Sequence, residues 1–190
     1  NYKENNAVLQ EIPFRKFLDL AVVCYVLLGK VGTNMASVLV RQEYRKIWKI
    51  SEEELFLQAL ANTPKLLPPE LKSMNVLIQE AFLEREISES EAYQEGEIPM
   101  YVLTNIMHFN GAAAMLYSDI ISDFAEELET DFYILPSSIH EVILIPKVPD
   151  LEKQVLEQMV REVNQEEVDQ QERLSDQVYC YWRGSGEFTV

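Results

Sequence analysis

The residues of this chain best suited to chemistry sit close together. Ser137, Ser138, His140 and Glu141 lie within Tyr133-Ile134-Leu135-Pro136-Ser137-Ser138-Ile139-His140-Glu141-Val142-Ile143-Leu144-Ile145-Pro146. A hydroxyl, an imidazole and a carboxylate are the parts of a nucleophilic hydrolase site, in which the base takes the hydroxyl proton and the acid orients the base. The spacing argues against a triad built from this segment alone. Neighbours on a strand point to opposite faces, so Glu141 does not easily orient His140. The Gly-x-Ser-x-Gly elbow that exposes a nucleophilic serine is also missing. The competing reading makes Pro136-Ser137-Ser138 a turn closed by a side-chain-to-backbone bond, with His140 satisfying a polar group at the end of a sheet.

Two other groupings have charge or ligand character. Arg41, Arg45 and Lys49 recur at i, i+4 and i+8, with Lys46 beside them, while Tyr44, Ile47 and Trp48 fall on another face. This predicts a short amphipathic helix with a basic side, either an anion-binding patch or a solvated face whose Tyr and Trp pack inward. His108 and His140 with one carboxylate form the only conceivable metal set. With two His, two Cys and no His-Glu-x-x-His, no metal site is expected. Six glycines in 190 residues and no Gly-x-Gly-x-x-Gly or Walker loop leave no phosphate cradle, and no cofactor is expected.

Charge layout narrows the partners. The net charge is −16, yet residues 1–50 carry eight Lys/Arg against four Asp/Glu, and the remainder eight against twenty-eight. So acidic a surface disfavours nucleic acid. It also suggests that the N-terminal part docks electrostatically against acidic surface. The longest apolar run, Leu20–Leu28, is too short for a membrane span. Cys24 and Cys180 sit in apolar runs and read as free, buried thiols, which makes the cytoplasm the expected compartment. The chain begins at Asn1, so further sequence upstream is expected.

The elements that must position these residues follow from apolar periodicity. Phe17–Leu28 reads as a central strand covered on both faces, and Ala36–Val40 as its return. Ser51-Glu52-Glu53-Glu54 reads as a capping box opening a helix that ends near Asn62, before Pro64. Leu66-Leu67-Pro68-Pro69 reads as an apolar connector and Ser73–Arg85 as a helix. Residues 84–97 contain six Glu and one Arg and read as a linker. Beyond it, Met100–Thr104 and Ala112–Tyr117 read as a hairpin around Asn110-Gly111. A helix bearing Ile120, Ile121, Phe124, Ala125 and Leu128 follows. Asp131–Leu135 and His140–Ile145 are strands. A second helix carries Leu151, Val155, Leu156, Met159, Val160 and Val163 on one stripe, and Val178–Trp182 is a last strand. The result is an α+β protein with mixed, largely antiparallel sheets built from hairpins, helices packed on them, in two related lobes. The expected domains are an N-terminal lobe over 1–83, an acidic linker over 84–99, a ββαββαβ lobe over 100–183 and a loose tail over 184–190.

Met100–Asn105, Asn110–Tyr117, Asp131–Pro146, Met159–Asn164, Leu174–Tyr179, Phe17–Val23 and Asn62–Pro68 together resemble an uncharacterised domain-of-unknown-function family of Firmicutes. Pro136-Ser137-Ser138-Ile139-His140-Glu141-Val142-Ile143 is its most distinctive stretch. The order hairpin, helix, strand, His-bearing turn and strand is more remotely similar to a second uncharacterised Bacillus family. The resemblance implies fold boundaries and additional upstream sequence, but no activity or site residue. The functional expectation is therefore a non-catalytic protein acting through protein–protein contacts, with an unknown protein partner or by self-association. The alternative is a hydrolase centred on Ser137, Ser138, His140 and Glu141.

Overall fold

The structure is a computed structural model that describes residues 1, 3–32, 34–85, 98–136 and 138–190. The chain divides into two compact units, Asn1–Leu66 and Leu67–Val190.

The first unit contains a short helix, α1 (Asn6–Leu9), and two separate antiparallel ribbons. β1 (Phe14–Phe17) pairs with β2 (Leu20–Val23), and β3 (Tyr25–Val31) pairs with β4 (Asn34–Leu39). The expected single strand over Phe17–Leu28 is thus broken twice. Leu18 takes φ 54° in the turn between β1 and β2, and the chain breaks again at Cys24. A two-residue hairpin turn needs positive φ and usually announces itself with Gly or Asn. Leu18-Asp19 gives no such signal. Nor is the stretch covered on both faces, because Tyr25, Val26 and Leu28 are exposed. A register shift between Leu27 and Gly29 marks a bulge, with Gly29 at φ 106°.

Two helices complete this unit, α2 (Gln42–Trp48) and α3 (Glu52–Leu66). The capping box forms as expected: the Ser51 backbone N–H donates to Glu54 Oε2 at 2.7 Å and the Glu54 N–H donates to Ser51 Oγ at 3.1 Å. Helix α3 runs past Asn62 to Leu66 with Pro64 in its last turn, where Thr63 turns its hydroxyl back to the Ala59 carbonyl at 2.6 Å. Proline there costs only one of the final helical bonds. One core cluster gathers Cys24, Val40, Leu55 and Phe56, with Val22, Tyr44, Ile50 and Ala59 against it, and Leu9, Ile12 and Leu20 are buried as well.

The second unit contains β5 (Pro69–Ser73), α4 (Met74–Arg85), β6 (Tyr101–Asn105), a 3-10 helix (Gly111–Leu116), α5 (Ser118–Leu128), β7 (Phe132–Leu135), β8 (Val142–Pro146), α6 (Lys153–Glu166), β9 (Tyr179–Trp182) and β10 (Glu187–Thr189). Among the described residues its six strands form one sheet in the order β10-β9-β7-β8-β6-β5, with every pairing antiparallel. Alternation along the strands divides the core. On one face Tyr133, Leu135, Ile145 and Cys180 pack with Leu156 and Val160 of α6. On the other, Phe124 of α5 meets Tyr101 and Phe132 edge-on at 4.9 and 5.2 Å, and Phe132 stacks on Tyr181 at 5.3 Å.

Three expectations about this unit are corrected. The boundary falls at Leu66/Leu67 rather than after 83, because β5 pairs along its whole length with β6, from Pro69↔Asn105 to Ser73↔Tyr101. Ala112–Tyr117 is not a return strand: Asn110 takes φ 48° and leads into the 3-10 helix. Residues 184–190 are not a loose tail. β10 pairs with β9, Trp182 Nε1 donates to Thr189 Oγ1 at 2.9 Å, and Phe188 packs on Tyr181. Of the expected linker, Glu84 and Arg85 end α4 and residues 86–97 lie outside the described residues.

Candidate functional site

The segment from Pro136 to Glu141 joins β7 to β8 and is held on three sides. Ser138 bridges Arg173, and the Ile139 N–H donates to the Glu172 carbonyl at 2.8 Å. The Ala112 N–H donates to the Ile139 carbonyl at 3.1 Å, and Thr104 Oγ1 donates to the His140 carbonyl at 2.7 Å. Gly111 lies against that last bond: a Cβ there would overlap Thr104 Oγ1 and the His140 carbonyl oxygen. This close approach, not positive φ, is why glycine occupies the position.

Ser138 and His140 do come together, but through the backbone. Ser138 Oγ accepts the His140 backbone N–H at 3.0 Å, the side-chain-closed turn read from the sequence. The imidazole faces elsewhere, with Nε2 3.4 Å from Glu172 Oε1. Its Nδ1 is buried and has no partner among the described residues. Ser137 lies outside the described residues. Glu141, as alternation requires, points away from the His140–Glu172 pair and lines a separate cleft.

That cleft, of about 290 Å³, sits over β5, β6 and β8 beside the start of α4. Glu70 and Lys72 share one face of β5, opposite Thr104 and Val102 of β6. Val102 in turn stands opposite Ile143 of β8, so Glu141 continues the row beside Thr104. Met74 and Leu77 of α4 and the exposed His108 also line it. Lys72 Nζ is 3.0 Å from Glu80 and 3.5 Å from Glu70. The Glu80 bond is the main influence raising the Lys72 ammonium above its ordinary pKa. His108 Nε2 is 3.8 Å from Glu70. The two histidines therefore face different glutamates, and among the described residues no cluster has metal-ligand character.

The basic patch is partly spent on internal pairing. Arg41 Nη1 is 2.8 Å from Glu11. Arg45 is bonded to Gln42 and lies 3.7 Å from Glu52. Lys46 and Lys49 remain as its free charges among the described residues. Ile47 is 73% exposed and Trp48 45%. The expectation that Trp48 packs inward is corrected, because α2 is a short helix with no buried residue.

Helix α6 carries a second surface feature. Leu156, Val160 and Asn164 are buried against the sheet, whereas Val155, Met159 and Val163 are 55%, 44% and 39% exposed. The six-residue apolar stripe read from the sequence is therefore split. Three residues at i, i+4 and i+8 form an open row, with the exposed Glu152, Glu162 and Glu166 on the same side of the helix.

Glu70 and Lys72 were not legible as site residues, because 66–69 read as a connector. The signal was present in Pro69-Glu70-Leu71-Lys72, where polar and apolar residues alternate after a leading proline as on an edge strand. The family model described as "Family of unknown function (DUF5688)" matches residues 1–183. No curated protein and no solved structure matches the chain.

Proposed function

The chain belongs to that family of unknown function, and we propose that it is a non-catalytic protein acting through protein–protein contacts made by the open apolar row of α6. The observation that carries this reading is the position of Val155, Met159 and Val163, each exposed and each one residue before or after a residue packed in the core. Apolar side chains at i, i+4 and i+8 on a rigid helix are what a partner helix or groove engages. Their acidic rim selects a partner surface that is apolar and basic, either another protein or a second copy. Nucleic acid is the unfavoured partner of so acidic a surface. The proposed compartment is the cytoplasm, supported by two buried free thiols. Burial pushes the Cys24 thiol up to about 11, which keeps it unreactive. The bonding of Ser138 and His140 adds nothing in favour of the hydrolase alternative.

The test compares the chain with Met159→Glu by sedimentation velocity and by affinity capture from extracts of the source cells. The expected result is an assembly or a stoichiometric partner that the variant binds about tenfold more weakly or worse, since a charge replaces a docked apolar group. Equal behaviour of the two proteins would sink the reading.

A further inference from the structure

We propose that the cleft over β5, β6 and β8 binds a small organic cation, a primary amine on a short apolar body, with the Glu141 carboxylate as its anchor. This site is distinct from the row on α6 and does not depend on it.

The sign of the ligand follows from the charges that line the cleft. Lys72 is the one Lys or Arg in the lining among the described residues, and Glu80 and Glu70 already hold it at 3.0 and 3.5 Å. Glu141 has no partner among the described residues. Counting Glu70, Glu80 and Glu141 against Lys72, the surroundings carry a surplus of negative charge. An anion would meet two lining carboxylates without a free cation to receive it, whereas an ammonium meets an open carboxylate.

The shape follows from the sheet. Glu70 and Thr104 pair across β5 and β6, and Glu141, one residue before β8, continues their row on the same face. With strands about 4.8 Å apart, the two glutamate backbones stand roughly 10 Å from each other. The Thr104 hydroxyl is committed as a donor to the His140 carbonyl, so toward the cleft this row offers acceptors only. An ammonium, with three donors and no acceptor, complements that row.

Behind the row the lining turns apolar. Val102, Ile143, Met74 and Leu77 form the floor and one wall. They favour a hydrocarbon body over a hydrated inorganic ion. The volume of about 290 Å³ holds roughly ten non-hydrogen atoms at the space one water takes in liquid. Benzylamine fits these limits, and its carboxylate and alcohol counterparts test the charge at constant shape.

The experiment titrates the whole chain with benzylamine, benzoate and benzyl alcohol at pH 7, reading amide NMR shifts of Val102, Thr104 and Ile143. Benzylamine is expected to shift these amides saturably, with benzyl alcohol at least tenfold weaker and benzoate inactive. Glu141→Gln should weaken benzylamine about tenfold while leaving the spectrum of the free protein otherwise unchanged. Glu70→Gln, at the far end of the row, should weaken it less. The proposal is overturned if benzoate or benzyl alcohol binds as well as benzylamine. It is equally overturned if Glu141→Gln binds benzylamine with unchanged affinity, or if no probe shifts these amides.

Discussion

The N-terminal and C-terminal units both carry exposed apolar side chains, but for different reasons. Among the described residues the first unit has only two-stranded ribbons, and its buried apolar residues are Leu9, Ile12, Leu20, Cys24, Val40, Leu55 and Phe56. Ribbons that narrow cannot cover both of their own faces, so Leu28 of β3 stands in solvent, and with so little sheet to pack on, α2 and α3 leave Ile47 and Leu57 exposed as well. The second unit has a six-stranded sheet packed on both faces, and it buries Leu103, Phe132, Ile134, Val142 and Leu144 to 0% exposure. Nothing about its core forces apolar groups outward. Exposure of Val155, Met159 and Val163 beside fully buried Leu156 and Val160 is therefore the more informative of the two. An apolar surface left by a shortage of sheet says little about function, whereas a row left beside a packed core is the surface on which the proposed contact rests.

The contrast in core size can be broken by truncating one aromatic in each unit. Phe132→Ala removes a ring in contact with Phe124 and Tyr181 and is expected to cost about 4 kcal/mol. Phe56→Ala should cost the small core a similar amount, also about 4 kcal/mol. Because the units are compact separately, each loss should appear in the exchange of its own unit's amides. Urea titration followed by hydrogen exchange checks this. If both variants loosen the whole chain alike, the separation of the two cores is wrong.

Next in size is Gly111→Ala. The added methyl overlaps the Thr104 hydroxyl and the His140 carbonyl, and should cost about 2 kcal/mol by forcing β6 and the β7–β8 loop apart. The same substitution at Gly184, where a Cβ meets nothing, should cost far less. Equal effects in thermal melts would remove the close-approach explanation.

Ser51→Ala, in the N-terminal unit, deletes the acceptor of the Glu54 N–H and should cost about 1 kcal/mol. Ser51→Asp, which restores an acceptor, should recover most of it. Denaturant midpoints at constant slope are the readout.

The smallest effect concerns acid. The Ser51 backbone N–H holds the Glu54 carboxyl below its ordinary value, and the bond from Arg183 does the same for Glu126. A carboxyl depressed in the folded state contributes stability above its unfolded value of about 4.5. That contribution is lost as pH falls through the lower folded value. Stability should therefore decline gently in each unit below about pH 4.5. Arg183→Gln should flatten the part of that decline that belongs to the C-terminal unit. An unchanged slope in the variant would contradict the assignment.

Much of this comparison was legible from residue pattern alone. The paired strands around Pro136, the buried face of α5 and the box at Ser51–Glu54 all rest on local periodicity or on two side chains a turn apart. The losses share a cause as well. Leu18-Asp19 makes a hairpin turn with residues that advertise none, so the last residue of β1, all of β2 and the first half of β3 read as one strand over Phe17–Leu28. Asn110-Gly111 advertised a hairpin, but the glycine is there to let the chain pass Thr104 and His140. The cleft joins Glu70, Thr104 and Glu141, which are far apart in sequence and meet only through strand order. No window along the chain contains that order. His140 drew notice by residue type, yet its ring partner, Glu172, comes from a loop beyond α6. The stripe on α6 was legible as apolar, but which half of it would be covered depends on how the helix rolls on the sheet.

The central claim is that the open row of α6 is covered by another protein chain. Its most direct test places a photo-crosslinking side chain at Met159 in the otherwise unaltered protein and irradiates the living source cells. A second sample carries the same group at Gln154, exposed on another side of the helix. The account expects a discrete crosslinked product from position 159, to a second copy or to one other protein, and none from position 154. No discrete product from 159, or the same products from both positions, would contradict it.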